Sequence, residues 1–209
     1  MPIEFSEVIT TAAELRRIVG EPSDLVVEKA VYSLDRHSRD FIERSPFMLI
    51  SSDDSAGNMD ISPKGDPIGF VHILDDYTIA IPDRKGNRRT DTFKNILENP
   101  RVGLFFMVPG YRETLRISGT ALIVRDIALR QPMKIKDVVP DLALVVRIEE
   151  MFFHCAKCII RSGLWDHRNW NDVKGMGTLA DALVEQVVFQ NDAEVLHTQI
   201  EESYEKNLY

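Results

Sequence analysis

Residues 81–96, IPDRKGNRRTDTFKNI, gather Arg84, Lys85, Arg88, Arg89 and Lys94 against two acids, Asp83 and Asp91. The chain around them is acidic, with a formal net charge of −8. A local excess of cations in an acidic chain suits a small anion better than a nucleic acid, which needs a broad basic face. The run lies between a stretch that reads as a strand and one that reads as a helix. The first turn of a helix exposes unpartnered backbone N–H groups at the positive end of its dipole. Anions bind there without side-chain help, and Arg88 and Arg89 add charge-assisted, bidentate hydrogen bonds. Gly86 permits a tight turn before them. The guest that fits is a phosphate monoester. The competing reading is a solvated basic loop, which a charge cluster taken alone more often proves to be.

A second stretch, DISPKGDP at 60–67, offers the Ser62 hydroxyl, the Lys64 ammonium and backbone N–H groups near Gly65 to the same anion. An ordinary Pro-Gly turn explains it equally well. Cys155 and Cys158 form the one C-x-x-C. A structural zinc needs four ligands and His154 adds at most one, so no metal site is expected. Two half-buried thiols near a strand end are the simpler reading, and a redox pair at a strand-to-helix junction is the alternative. His72, His154 and His167 are isolated and read as structural rather than as haem ligands. No acid–base dyad stands out, so the sequence names no catalytic residue.

These residues need elements to hold them. Hydrophobic residues are 44% and charged residues 28% of the 209, ordinary for a soluble globular protein. No run approaches the roughly 18 apolar residues of a membrane span. The opening MPIEFSEVITTAAELRR carries early acids and no apolar segment, so a secretion signal is not expected and a cytoplasmic location is the default. TAAELRRIVG, EPSDLVVEKAVYSL and DRHSRDFIERSP predict three helices, the last ending before Pro46. FMLISSD, MDISP, GFVHILD and YTIAIPD predict four short strands in a meander. A helix is expected over Arg88–Glu98, with Asn87 as its cap and Pro100 as its stop. RVGLFFMV, ETLRISGTALIVR and ALVVRIEEMFFHCA predict longer strands, and the last thirty residues read as helical again. One inserted helix does not make an alternating α/β chain. The expectation is a single domain over 1–209 that is mainly β with helical ends: a helical arm at 1–45, an antiparallel barrel at 46–160 and a helical segment at 161–209.

The order strand, SPKGD, strand, strand ending IPDRKGNRR, helix, ENPRVGLFF, loop, ETLRISGTA resembles the pyridoxamine 5'-phosphate oxidase-like family of FMN-binding split-barrel flavoproteins. The resemblance runs from about Asp35 to Trp170 and is most specific over 77–121. Through HCAKCIIRSGLWD it is nearest a branch known only as FMN-dependent enzymes. It implies a six-stranded antiparallel split barrel and a homodimer with FMN in clefts between subunits. It places the phosphate on Arg88 and Arg89, with Asn87 where members usually carry serine. Ser62, Pro63, Lys64, Ile81, Pro82 and Asp83 become the wall of the flavin ring, and Lys64 or Arg84 the cation that stabilises the reduced ring. Thr114 is expected from the partner subunit, where vitamin-making members carry glutamine, and Lys157 and Arg161 are expected to reach phosphate or ring carbonyls from the partner chain, with plain surface charge as the alternative. RSGLWDH adds Ser162 and Trp165 to the implied cofactor set, and Trp165 either stacks near the flavin or anchors the core. The arginine- and histidine-bearing substrate motif of the vitamin enzymes is not evident, so a different small substrate is expected. The implied activity is an FMN-dependent oxidoreductase. The alternatives are a non-catalytic flavin-binding or stress protein, and a deazaflavin- or haem-binding variant of the same barrel. No nucleic-acid or membrane partner is expected.

Overall fold

The computed structural model describes residues 3–187 and 192–209. Contacts divide the chain into Met1–Ala30 and Val31–Tyr209. In the first unit lie Ala12–Val19 (α1) and Asp24–Glu28 (α2). The Thr11 side chain accepts the Glu14 N–H to cap α1, and Gly20 ends it at φ 76°, a left-handed value glycine adopts without a steric penalty. The second predicted helix is shorter than expected: α2 stops at Glu28.

In the second unit, Val31 bridges to Met151 rather than extending a helix. Arg36–Arg44 (α3) follows Asp35, whose carboxylate accepts the Ser38 N–H while the Ser38 hydroxyl accepts the Asp35 N–H. This capping box fixes the start of the helix, which buries Phe41 and Ile42. The remaining elements are Phe47–Asp53 (β1), Met59–Gly65 (β2), His72–Ile73 (β3), Thr78–Pro82 (β4), Asp91–Glu98 (α4), Arg101–Met107 (β5), Thr114–Val124 (β6), Ile127–Arg130 (α5), Ala143–His154 (β7), Lys157–Ser162 (α6), Leu179–Gln186 (α7) and Ala193–Lys206 (α8). Within the expected C-terminal helical stretch, residues 188–191 lie outside the described residues.

The strands form one antiparallel sheet in the order β2-β1-β5-β6-β7-β4-β3. This is the expected mainly β, split-barrel architecture, with seven strands in place of six. The additional strand is minimal: of GFVHILD, only His72 and Ile73 pair, with β4. Alternation builds the core. Met48 and Ile50 of β1, Leu104 and Phe106 of β5, Leu115 and Ile117 of β6, and Val146 and Met151 of β7 all point inward and are buried. Each such side chain contributes about 1.5–3 kcal/mol over an exposed one. Pro63 sits within β2, opposite Leu49, and an edge strand tolerates the missing N–H. The β6–β7 register shifts at Ser118/Gly119. A side chain at Gly119 would bring a Cβ to 2.1 Å from the Arg147 carbonyl oxygen, so glycine is required for the strands to approach at this bulge. Among the described residues no helix is long and apolar enough to cross a membrane.

Candidate functional site

The chain leaves the sheet at Pro82, which is buried, and enters the basic segment. Arg88 and Thr90 both adopt left-handed backbone, at φ 62° and 57°, which is strained for residues with a Cβ. The helix therefore begins at Asp91, later than the expected Arg88. Asn87 does not cap it. Its side chain accepts the Arg89 N–H at 3.0 Å, closing a local turn of the kind Asn favours. No side chain caps the first turn of α4. Arg89 Nε donates to Asp91 Oδ2 at 2.6 Å, and this bond holds the Asp91 carboxyl below its usual range. Arg88 is exposed and makes no hydrogen bond or ion pair with the described residues.

Two other segments meet this one. The Thr92 hydroxyl of α4 donates to Asp60 Oδ2 of β2 at 3.0 Å, and the Asp60 charge also acts on Arg89. Ser62 and Lys64 lie opposite Ile50 and Met48 across β1–β2 and so share the core-facing side of the sheet. Burial pushes the Asp83 carboxyl upward, and the Lys64 ammonium opposes that shift, so the two side chains sense each other. Ser62–Lys64, Ile81–Asp83 and Asn87–Arg89 thus lie in one region. It is not purely cationic, because Asp60, Asp83 and Asp91 stand among the cations.

Arg84 has a structural task. Its Nε donates to Asp66 Oδ2 at 2.6 Å and its Nη2 to the Met133 carbonyl at 2.8 Å. The two side chains are only 17% and 2% exposed, and the Tyr209 hydroxyl adds a bond to Asp66 at 3.2 Å. The pair joins the end of β2 to the end of β4 and fixes both walls of the region. A cavity of about 130 Å³ lies beside it, lined by Asp83, Arg84, Lys85, Pro140, Asp141 and Tyr209 among others. His72 on β3 stays a neutral imidazole to lower pH than usual, because burial and then Arg84 push its pKa down.

The other predicted residues form a second group. Thr114 begins β6 and pairs with His154 at the end of β7. Lys157, Arg161 and Ser162 lie exposed on α6. The Ser162 hydroxyl donates to the Ile159 carbonyl at 3.1 Å, and Trp165 Nε1 to the Tyr111 carbonyl at 2.7 Å. Cys155 and Cys158 are exposed rather than half-buried, because the chain turns into α6 directly after β7. No group of three or more His, Cys, Asp or Glu able to hold a metal occurs among the described residues. Pro82 pairs with Ala143, the first of the twelve residues of β7, whereas Thr114 pairs with the last. At about 3.3 Å per residue Pro82 and Thr114 mark points roughly 35 Å apart along that strand. The sheet curls, however, and Lys64, Met48, Phe106 and Leu115 stand in one row across β2, β1, β5 and β6. Three strand spacings put Lys64 only about 15 Å from Leu115. His154 stands opposite Thr114 in the sheet, a position that nothing in its sequence neighbourhood signals. Only strand register shows that the two face each other.

Comparison with known proteins bears on this arrangement. A family model described as "Pyridoxamine 5'-phosphate oxidase" matches residues 34–155, more than half of the chain. No curated protein matches the sequence significantly. Among solved structures, HupZ of Group A Streptococcus is 21% identical over 57% of this chain and 93% of its own, with a TM-score of 0.47. A Clostridium acetobutylicum protein related to general stress protein 26 of B. subtilis is 17% identical over 56% of this chain and 85% of its own, with a TM-score of 0.41. General stress protein 26 of Bacillus anthracis is 12% identical over 55% of this chain and 88% of its own, with a TM-score of 0.42.

Proposed function

The chain belongs to the pyridoxamine 5'-phosphate oxidase family, and from that premise we propose that it is an FMN-binding flavoprotein that acts as an oxidoreductase on a small substrate other than pyridoxamine phosphate. The observation that carries this reading is the convergence of β2, the end of β4 and the uncapped start of α4, with Arg88 beside them unpaired among the described residues. That donor set fits a phosphate monoester. An uncapped first turn supplies N–H groups, and an exposed guanidinium without a partner among the described residues can make bidentate bonds. Arg89 joins it by giving up part of its bond to Asp91.

In this reading FMN, when bound, supplies the electron chemistry. The chain's own residues hold and orient it. Ser62, Pro63, Lys64, Ile81, Pro82 and Asp83 wall the ring. Lys64 brings a cation that favours added negative charge on it, while Arg84 keeps the wall in place through Asp66. The family resemblance favours a homodimer with the site between the two copies. In that dimer Thr114, Lys157, Arg161, Ser162 and Trp165 of one copy close a site built mainly by the other.

The test is the absorbance spectrum of the purified protein before and after addition of FMN and gel filtration. Flavin bands at about one FMN per chain are expected. A protein that refuses FMN but retains a deazaflavin or haem would keep the barrel and change the chemistry. Retention of none would leave 84–94 as a solvated loop and overturn the reading.

A further inference from the structure

Two buried side-chain atoms have no hydrogen-bond partner among the described residues, Thr114 Oγ1 and His154 Nδ1. They belong to residues directly opposite each other on β6 and β7. Direct cross-strand partners stand on one face of a sheet with their Cβ atoms about 4.5–5.5 Å apart. The adjacent residues Leu115 and Phe153 pack on the core, so this pair occupies the opposite face. Thr114 is 1% exposed. Buried polar atoms in native proteins nearly always find a partner, and one left unmade is costly. Two orphans side by side therefore point to a single external group that meets both.

Their chemistry specifies that group. A threonine hydroxyl donates to a carbonyl. A neutral imidazole protonated on Nε2 accepts at Nδ1. The complement is an N–H beside a C=O in one plane. We propose that Thr114 and His154 together bind the imide edge of a planar heterocycle, with His154 Nδ1 accepting its N–H and Thr114 Oγ1 donating to its carbonyl. This rests on the FMN reading, in which that edge is N3–H with a neighbouring carbonyl of the flavin. His154 is then a cofactor-binding residue.

The experiment compares wild type, Thr114→Val and His154→Phe, each freed of flavin, in two measurements. The first is thermal unfolding without ligand. Valine keeps the shape of threonine and removes the orphan, so Thr114→Val is expected to melt about 2–4 °C above wild type. The second is titration with FMN and with N3-methyl-FMN, followed by fluorescence. Wild type is expected to bind FMN about tenfold more tightly than the methylated form, in line with one lost hydrogen bond. Both variants are expected to bind FMN more weakly, and His154→Phe to bind the two flavins alike. Equal binding of both flavins by wild type overturns the imide-edge assignment and leaves the FMN reading standing. A lowered melting temperature for Thr114→Val shows that its hydroxyl is already satisfied, by water or protein, and overturns it too. A wild type that binds neither flavin overturns both readings. Should a variant fail to fold, the wild-type comparison of the two flavins decides alone.

Discussion

Breaking the Arg84–Asp66 pair should unfold the barrel at much milder conditions. Asp66 is 2% exposed and Arg84 17%, so the removal of either charge strands the other in a poorly solvated place. Truncating one member of a buried ion pair costs about 3–5 kcal/mol. Asp66→Asn belongs at the low end, about 3 kcal/mol, because Arg84 keeps the Met133 carbonyl at 2.8 Å. Arg84→Met belongs higher, since it leaves Asp66 with only the Tyr209 hydroxyl at 3.2 Å. For a protein of this size the smaller loss corresponds to a fall of roughly 6–12 °C in Tm. The double variant Arg84→Met with Asp66→Asn removes both charges, so it should cost less than the two single losses together, with a coupling of about 2 kcal/mol. Urea unfolding of the four proteins measures the cycle. Single variants within about 0.5 kcal/mol of wild type, the range of ordinary surface changes, or strictly additive losses would mean that the pair is open to water. The assignment of Arg84 as the brace between β2 and β4 would then fail.

Three other outcomes are expected. Arg88→Ala should weaken FMN binding ten- to a hundredfold, the range for a charged hydrogen bond, and Arg89→Ala less, since Arg89 is already paired with Asp91 at 2.6 Å; titration calorimetry with no change for either would remove both from the phosphate site. Gly119→Ala places a Cβ 2.1 Å from the Arg147 carbonyl oxygen and should cost about 3 kcal/mol or prevent folding; a variant melting with wild type would show that the bulge relaxes freely. Burial raises the Asp83 carboxyl above its usual 3.8 despite Lys64, so the folded state binds its proton more tightly than the unfolded chain. Its contribution is thus fully present below about pH 3.8 and is lost as pH rises through the folded value. Asp83→Asn should therefore be more stable than wild type at pH 7, with the gain shrinking toward pH 4 in denaturant titrations. A constant difference across that range would show that Asp83 is solvated.

The alternation of FMLISSD and RVGLFFMV, the glycine after TAAELRRIV and the proline after LEN are local signals. They depend on residues two to four apart, and the strands and helices they predicted are present. The helix start at Asp91 was not legible, because nothing in NRRT marks the left-handed backbone at Arg88 and Thr90. The predicted capping residue instead satisfies the adjacent turn. The basic segment was legible as a cluster of cations because charge density survives folding. Which of its cations stay free did not follow from composition. Arg84 is drawn into a bond with Asp66, eighteen residues away, and Arg88 is left unpaired among the described residues.

The sequence by itself thus determined the order and type of the elements, the antiparallel barrel and the family, since periodicity and stop signals act over a few residues. Tertiary structure alone decided the sheet order, with β1 lodged between β2 and β5. It alone divided the residues paired with β7 between its two ends and set Thr114 against His154 across forty residues of chain. Those outcomes depend on strand register and on the shared burial of a core, which no short stretch of residues encodes.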